Sequence, residues 1–287
     1  MGARVVLDWS DPQQRRGLNE NLAREILELH TLGVGGGYTQ ADVTEFARAL
    51  TGWGIAGPDD RDSGGDGFRF RPGQHEPGER LIRGRRYAAS ARDDGAAQGE
   101  QVLRDLAAAP ATARHLATKL ARHFNADEPA PALVDRLAEA YLRSGGELAV
   151  VYRALVDAPE SWQAAAPKFK SPWDWLISAG RGLGWRGDVS LTRPGGRGAV
   201  QPVALLQQLG QPLWRPGSPA GWGDRASDWA APDALLRRVE LAQRLAMQAG
   251  LALDARALAP QLLPGNLGES TERALARADS PAAALAL

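Results

Sequence analysis

The side chains best able to move a proton in this sequence are Glu25, Glu28, His30, His75, His115 and Lys119. A carboxylate and an imidazole within hydrogen-bond reach make a general acid–base pair, so spacing decides which of these can act together. Glu28 and His30 are two apart, diverge on a helix, and cannot form the Glu-x-x-His pair of a di-iron bundle. The others lie on separate elements, and only folding can bring them together. Glu20, Arg24 and Glu28, at i, i+4 spacing, read as an ion-pair ladder. At about 100° per residue, His30 projects inside an apolar arc between Ile26 and Ala23, with Glu25 at the edge of that arc. One reading is a buried histidine satisfied by a carbonyl and a carboxylate. The other is a proton-transfer pair tuned by desolvation.

The element carrying these groups is a helix over Leu18–Leu32, with Leu18, Leu22, Ala23, Ile26, Leu27 and Leu29 forming a wide apolar sector. Asn19 suits its N-cap and Gly33 the left-handed position beyond its end. Docked at the centre of the later helices, this segment would keep its charged edge among neighbours. After Gly33-Val-Gly-Gly-Gly37, the run Thr39-Gln-Ala-Asp42 reads as a capping box. Val43, Phe46, Ala47 and Leu50 then mark a second helix. Phe68 and Phe70 alternate with Arg69 and Arg71 as a strand, with Leu81–Tyr87 as its partner across Pro72–Gly78. From residue 97 onward the pattern is helical, with Pro110 in a first turn. Ala113, Leu116, Ala117, Leu120 and Phe124 share one face, and Leu148, Val151, Tyr152 and Leu155 another. Leu235–Ala249 is strongly amphipathic. Residues 185–230 form a Gly/Pro/Trp-rich loop region around a short helix, and residues 3–9 could make a strand. The fold class expected is mainly α, a multi-helix orthogonal bundle in one domain over 1–287, with a β-hairpin insertion at 66–90.

Composition removes several functions. Acids and bases number 34 each, which argues against nucleic acid as partner. With no cysteine there is no thiol nucleophile, disulfide or cysteine-held metal. No apolar run is long enough to span a bilayer. The N-terminus lacks the apolar stretch and cleavage site of a signal peptide, so the chain as it stands reads as cytoplasmic. There is no Gly-x-Ser-x-Gly, His-Glu-x-x-His or Gly-Lys-Ser/Thr motif, and Gly33–Gly37 lacks the dinucleotide spacing. No cofactor is expected. Asp60, Asp62 and Asp66 mimic part of a calcium loop, but Arg71 stands where the bidentate glutamate belongs. Trp214 and Trp222 lie in a Pro/Gly-rich stretch with Trp229. Such rings either staple the loop to the core or stack on a carbohydrate or peptide.

The run Leu18-Asn-Glu-Asn-Leu-Ala-Arg-Glu-Ile-Leu-Glu-Leu-His-Thr-Leu-Gly-Val-Gly-Gly-Gly-Tyr38, closing on Ala49-Leu-Thr-Gly-Trp53, resembles the signature of the bacterial family called domain of unknown function 1800. Ala109–Phe124, Lys170-Ser-Pro172, Leu209-Gly-Gln-Pro-Leu-Trp-Arg-Pro216 and Ala220-Gly-Trp222 are similar to its further blocks. His75-Glu76-Pro-Gly78-Glu79-Arg80 stands where the family carries a His-Asp-x-Gly-x-Lys-like loop. The family has a further helical region before the first block, so the chain reads as a shortened form lacking that region and any export signal. The resemblance implies a mostly helical, often exported bacterial protein, frequently encoded beside a sulfatase-like family, and it supplies no reaction.

Two functions follow as expectations. The first is a binding or assembly protein of the cell envelope, periplasmic or secreted, acting with a sulfatase-like partner. Its surface would draw on Asn19, Asn21, Arg24, Thr31, Tyr38, Lys119, Trp214 and Trp222. The second is a hydrolase with Glu25 or Glu28 as general base and His30 or His75 assisting.

Overall fold

A computed structural model describes residues 18–56, 67–89, 95–162, 168–185, 201–249, 253–265 and 267–287. The expected strand at 3–9, the aspartates 60, 62 and 66, and most of the 185–199 loop lie outside the described residues. What is described is mainly helical, with two small antiparallel strand pairs. The chain divides into two compact units, Met1–Ala121 with Pro129–Ser161, and Arg122–Glu128 with Trp162–Leu287.

In the first unit, α1 (Asn21–Glu25) runs directly into a π-helical turn (Ile26–His30). The second helix, α2 (Gln40–Ala49), starts at the expected capping box: the Asp42 amide donates to Thr39 Oγ1 and the Thr39 amide to Asp42 Oδ2. Val43, Phe46 and Ala49 of α2 are fully buried, and Ala23 and Leu27 pack in the same core with Ile82, Val102 and Leu106. The first segment is thus a core element, and Leu22 and Ile26 are half-buried against that core. His30 is exposed rather than enclosed in the apolar arc. The reason is the wide turn: i→i+5 bonding advances each residue by less than a regular helical step, which shifts the end of the segment off the register of a continuous α-helix.

The strands differ from the expected single hairpin. β1 (Trp53–Ile55) pairs with β2 (Phe68–Phe70), and β3 (Arg80–Ile82) pairs with β4 (Arg85–Tyr87). Arg83 and Gly84 both have positive φ, 52° and 76°, the backbone of a two-residue hairpin turn matched to strand twist. The stretch Leu81–Tyr87 therefore folds back on itself instead of pairing with Phe68–Phe70. The third helix, α3 (Gly95–Ala107), holds this hairpin through Gln98, whose amide donates to the carbonyls of Gly78, Tyr87 and Ala88. A second core in this unit joins α4 (Pro110–Phe124, as far as Ala121), α5 (Pro131–Arg143) and α6 (Leu148–Asp157) through Ala113, Ala117, Leu133, Leu137, Val151 and Leu155. Leu148, Tyr152 and Phe124 were expected on buried faces and are exposed.

The second unit contains α7 (Pro172–Gly182), α8 (Pro202–Gln208), α9 (Ala226–Trp229), α10 (Pro232–Ala249), α11 (Ala255–Leu262), α12 (Glu269–Arg277) and α13 (Pro281–Ala286). Leu209, Leu241 and Leu245 form one small core with Trp175 and Leu205, and Ala255, Leu275 and Ala284 form another.

Tyr87 ties β4 to α3 by donating to Asp105 Oδ2 at 2.8 Å. Burial first, then the bond to Asp105 and its charge, push the phenol from 10 up to about 12. A raised folded-state value favours the neutral phenol. The stability it contributes is therefore complete below pH about 10 and lost as pH climbs through about 12. Unfolding curves at pH 8 to 12 should show Tyr87→Phe less stable than wild type at pH 8, with the difference closing above pH 11. A gap that stays constant across that range would refute the coupling.

Candidate functional site

The end of this segment leaves backbone carbonyls without intrahelical partners. Thr31 Oγ1 donates to Ile26 O at 2.7 Å, and the Gly33 amide to Leu27 O at 3.0 Å. The third donor comes from α4: His115 Nε2 lies 3.1 Å from Leu29 O. Gly33, at φ +83°, has no room for a side chain, because a Cβ there would sit 2.6 Å from His115 Nδ1. His115 is therefore the histidine satisfied by a carbonyl that was expected at His30. The stretch Leu29–Gly33 and α4, more than eighty residues apart in sequence, thus meet through this one side chain.

Beyond the turn, Glu20, Arg24 and Glu28 of the polar strip are engaged. Glu20 accepts from Thr44 Oγ1 and Gln40 Nε2, both at 2.6 Å, and Arg24 donates to Gln40 Oε1 at 2.6 Å. The bonds from Thr44 and Gln40, with Arg24 adding its charge, hold the Glu20 carboxyl below its usual range. Arg24 also lies 3.6 Å from Glu28. Burial, followed by the charge of Glu28 and a hydrogen bond to it, pushes the Tyr38 phenol upward. Asn19 Oδ1 accepts from the Asn21 amide at 3.0 Å, but the N-cap position itself is Glu20, one residue later than expected. The glycine loop is clamped from the hairpin, where the Arg83 amide donates to Asp42 Oδ1 at 2.6 Å and Arg83 Nε to Gly37 O at 3.3 Å.

The other expected groups lie elsewhere. His75 Nδ1 is 3.0 Å from Thr51 O, and the Glu76 amide donates to Thr51 Oγ1 at 2.7 Å. Thr51 is fully buried. From Thr44 to Thr51 is a rise of about 10 Å at helical pitch, so His75 sits beyond the opposite end of α2 from Glu20 and Gln40. Among the described residues no hydrogen bond joins Glu25 or Glu28 to a histidine, and no group of His, Asp and Glu is placed to hold a metal. Lys119 and His30 are exposed, and Glu25 is half-buried. Thr44, Gln40, Thr51 and Arg83 complete these networks, and their sequence signal was weak: polar residues in or just beyond an amphipathic helix, and an arginine in a turn.

In the second unit the tryptophan loop divides by role. Trp229 is buried, donates from Nε1 to Gly223 O at 2.9 Å, and packs on Trp222 with centroids 5.8 Å apart. These two staple the loop. It is pinned further by Asp127, which accepts from Lys168 Nζ and from the Ala226 amide, each at 2.6 Å. Burial would raise Asp127, but those bonds outweigh it and hold the carboxyl below its usual range. Trp214 is different. It is 88% exposed and has φ +57°, a left-handed backbone that a bulky residue adopts at a cost. It follows a helix end in which Gly210 N bonds Gln207 O and Gln211 N bonds Leu206 O, the paired closure of a Schellman motif. Gln211 Oε1 then accepts from the Trp173 amide at 2.8 Å, joining the end of α8 to the start of α7.

Residues 7–286 match the family described as "Protein of unknown function (DUF1800)". The chain belongs to that family across nearly its whole length. Neither the curated proteins nor the solved structures offer a match.

Gly33→Ala should cost about 2–3 kcal/mol, combining left-handed strain with loss of the His115 bond. Gly35→Ala has a similar φ of +77° but nothing within 4 Å, and should cost only about 1 kcal/mol. Urea titration of both variants decides the matter, and equal losses would mean the His115 contact contributes nothing.

Proposed function

We propose that this protein is a binding or assembly component of the bacterial cell envelope, exported, with a sulfatase-like protein as its partner and Trp214 as a principal contact. The exposure of Trp214 carries this reading. A ring of that size in water, on a strained turn, gains nothing for the fold, and strain retained against stability marks a functional position. A flat apolar ring with a polar edge suits the face of a sugar or a peptide side chain. The engagement of Glu20, Arg24, Glu28 and Tyr38 with one another and with α2 supports a frame-building role for the signature. Envelope location and the sulfatase-like partner rest on the family resemblance. Among the described residues no helix is long and apolar enough to cross a membrane.

Trp214→Gly tests this. The change relieves left-handed strain of roughly 1–2 kcal/mol against an unfolded-chain entropy cost of about 0.5–1 kcal/mol, so the thermal midpoint should hold or rise. Binding to the immobilised sulfatase-like protein, or to a panel of envelope oligosaccharides and peptides, should weaken roughly ten-fold or more. Undiminished binding by the variant would remove Trp214 from the interface.

A further inference from the structure

Arg238 lies on the apolar face of α10. It is only 8% exposed, and the residues three and seven further on, Leu241 and Leu245, are core. Its guanidinium stands 4.6 Å from the centre of the Phe169 ring, which orients it without supplying negative charge. Among the described residues no carboxylate pairs with it, and its Nη2 is buried without a hydrogen-bond partner. Burial lowers its proton affinity, yet arginine remains charged in proteins. A buried cation left alone is among the heaviest penalties a fold can carry.

The same side chain lines a cavity of about 640 Å³, within the roughly 300–1,000 Å³ of sites that enclose a small ligand. Most of the wall is aliphatic, including Ala242, Leu258, Ala259, Leu262 and Leu285, and Lys170 adds a second cation. We propose that this cavity binds a long-chain aliphatic carboxylate, with the chain along α11 and α13 and the head group on Arg238. The carboxylate accepts from the guanidinium as a fixed planar fork, and the aliphatic walls take up the chain. This site is independent of Trp214.

Displacement of a fluorescent fatty acid from delipidated protein tests the assignment. Hexadecanoate should displace the probe from wild type at least about ten-fold better than hexadecan-1-ol, the value of one charge-assisted bond. Arg238→Met should bring the two to within about two-fold while keeping the alcohol's affinity. It should also melt no lower than wild type, because it removes an unpaired buried charge. Ala259→Trp, which fills the cavity, should weaken both ligands. No binding of hexadecanoate by wild type, or unchanged preference for it in Arg238→Met, would overturn the proposal.

Discussion

A single requirement organises the first unit: the carbonyls left unpaired where the first helical segment ends in its π turn must find donors. A buried carbonyl without one costs about as much as a lost hydrogen bond. Thr31 and Gly33 meet part of that requirement from the same stretch of chain, and His115 meets the rest from more than eighty residues away. Placing His115 there fixes where α4 lies, and α4 carries the face on which α5 and α6 are packed. The glycine after the turn is needed on two counts, for its left-handed backbone and for the space that the imidazole occupies.

The same logic recurs in the second unit. There the orphan amide at the start of α7 is taken by Gln211 from the closure of α8. In both units, segments that are distant in sequence meet as donor and acceptor. What they build is mostly a frame, because the engaged groups are backbone amides and carbonyls and the side chains that reach them.

Much of this was legible in the sequence where one local rule governed. The capping box at Thr39, Pro110 in a first turn and the apolar spacing of α2 each follow from short-range chemistry. Two departures from the expected pattern have separate local causes. His30 falls inside the apolar arc only at a constant 3.6-residue period, and the π turn breaks that period. Leu81–Tyr87 carries no turn signal because Arg83-Gly84 lacks the asparagine or aspartate that usually announces a two-residue turn. Long-range pairings such as His115 with Leu29 leave no periodic trace at all. Arg238 did leave one, as a charged residue in phase with Leu241 and Leu245, since a helix face keeps its spacing whether or not the residue on it is apolar. For the tryptophans, composition could say that the rings either staple or bind. Only the backbone at Trp214 separates it from Trp222 and Trp229.

One wall of the Arg238 cavity is α13, a helix of six residues. Nucleating a helix costs more than so few residues can return in water, so α13 stays helical only while packed on its neighbours. Its amides should therefore exchange with solvent through local opening, at a lower free energy than global unfolding. Anything that fills the space beneath it slows that exchange first, ahead of any change in the rest of the unit.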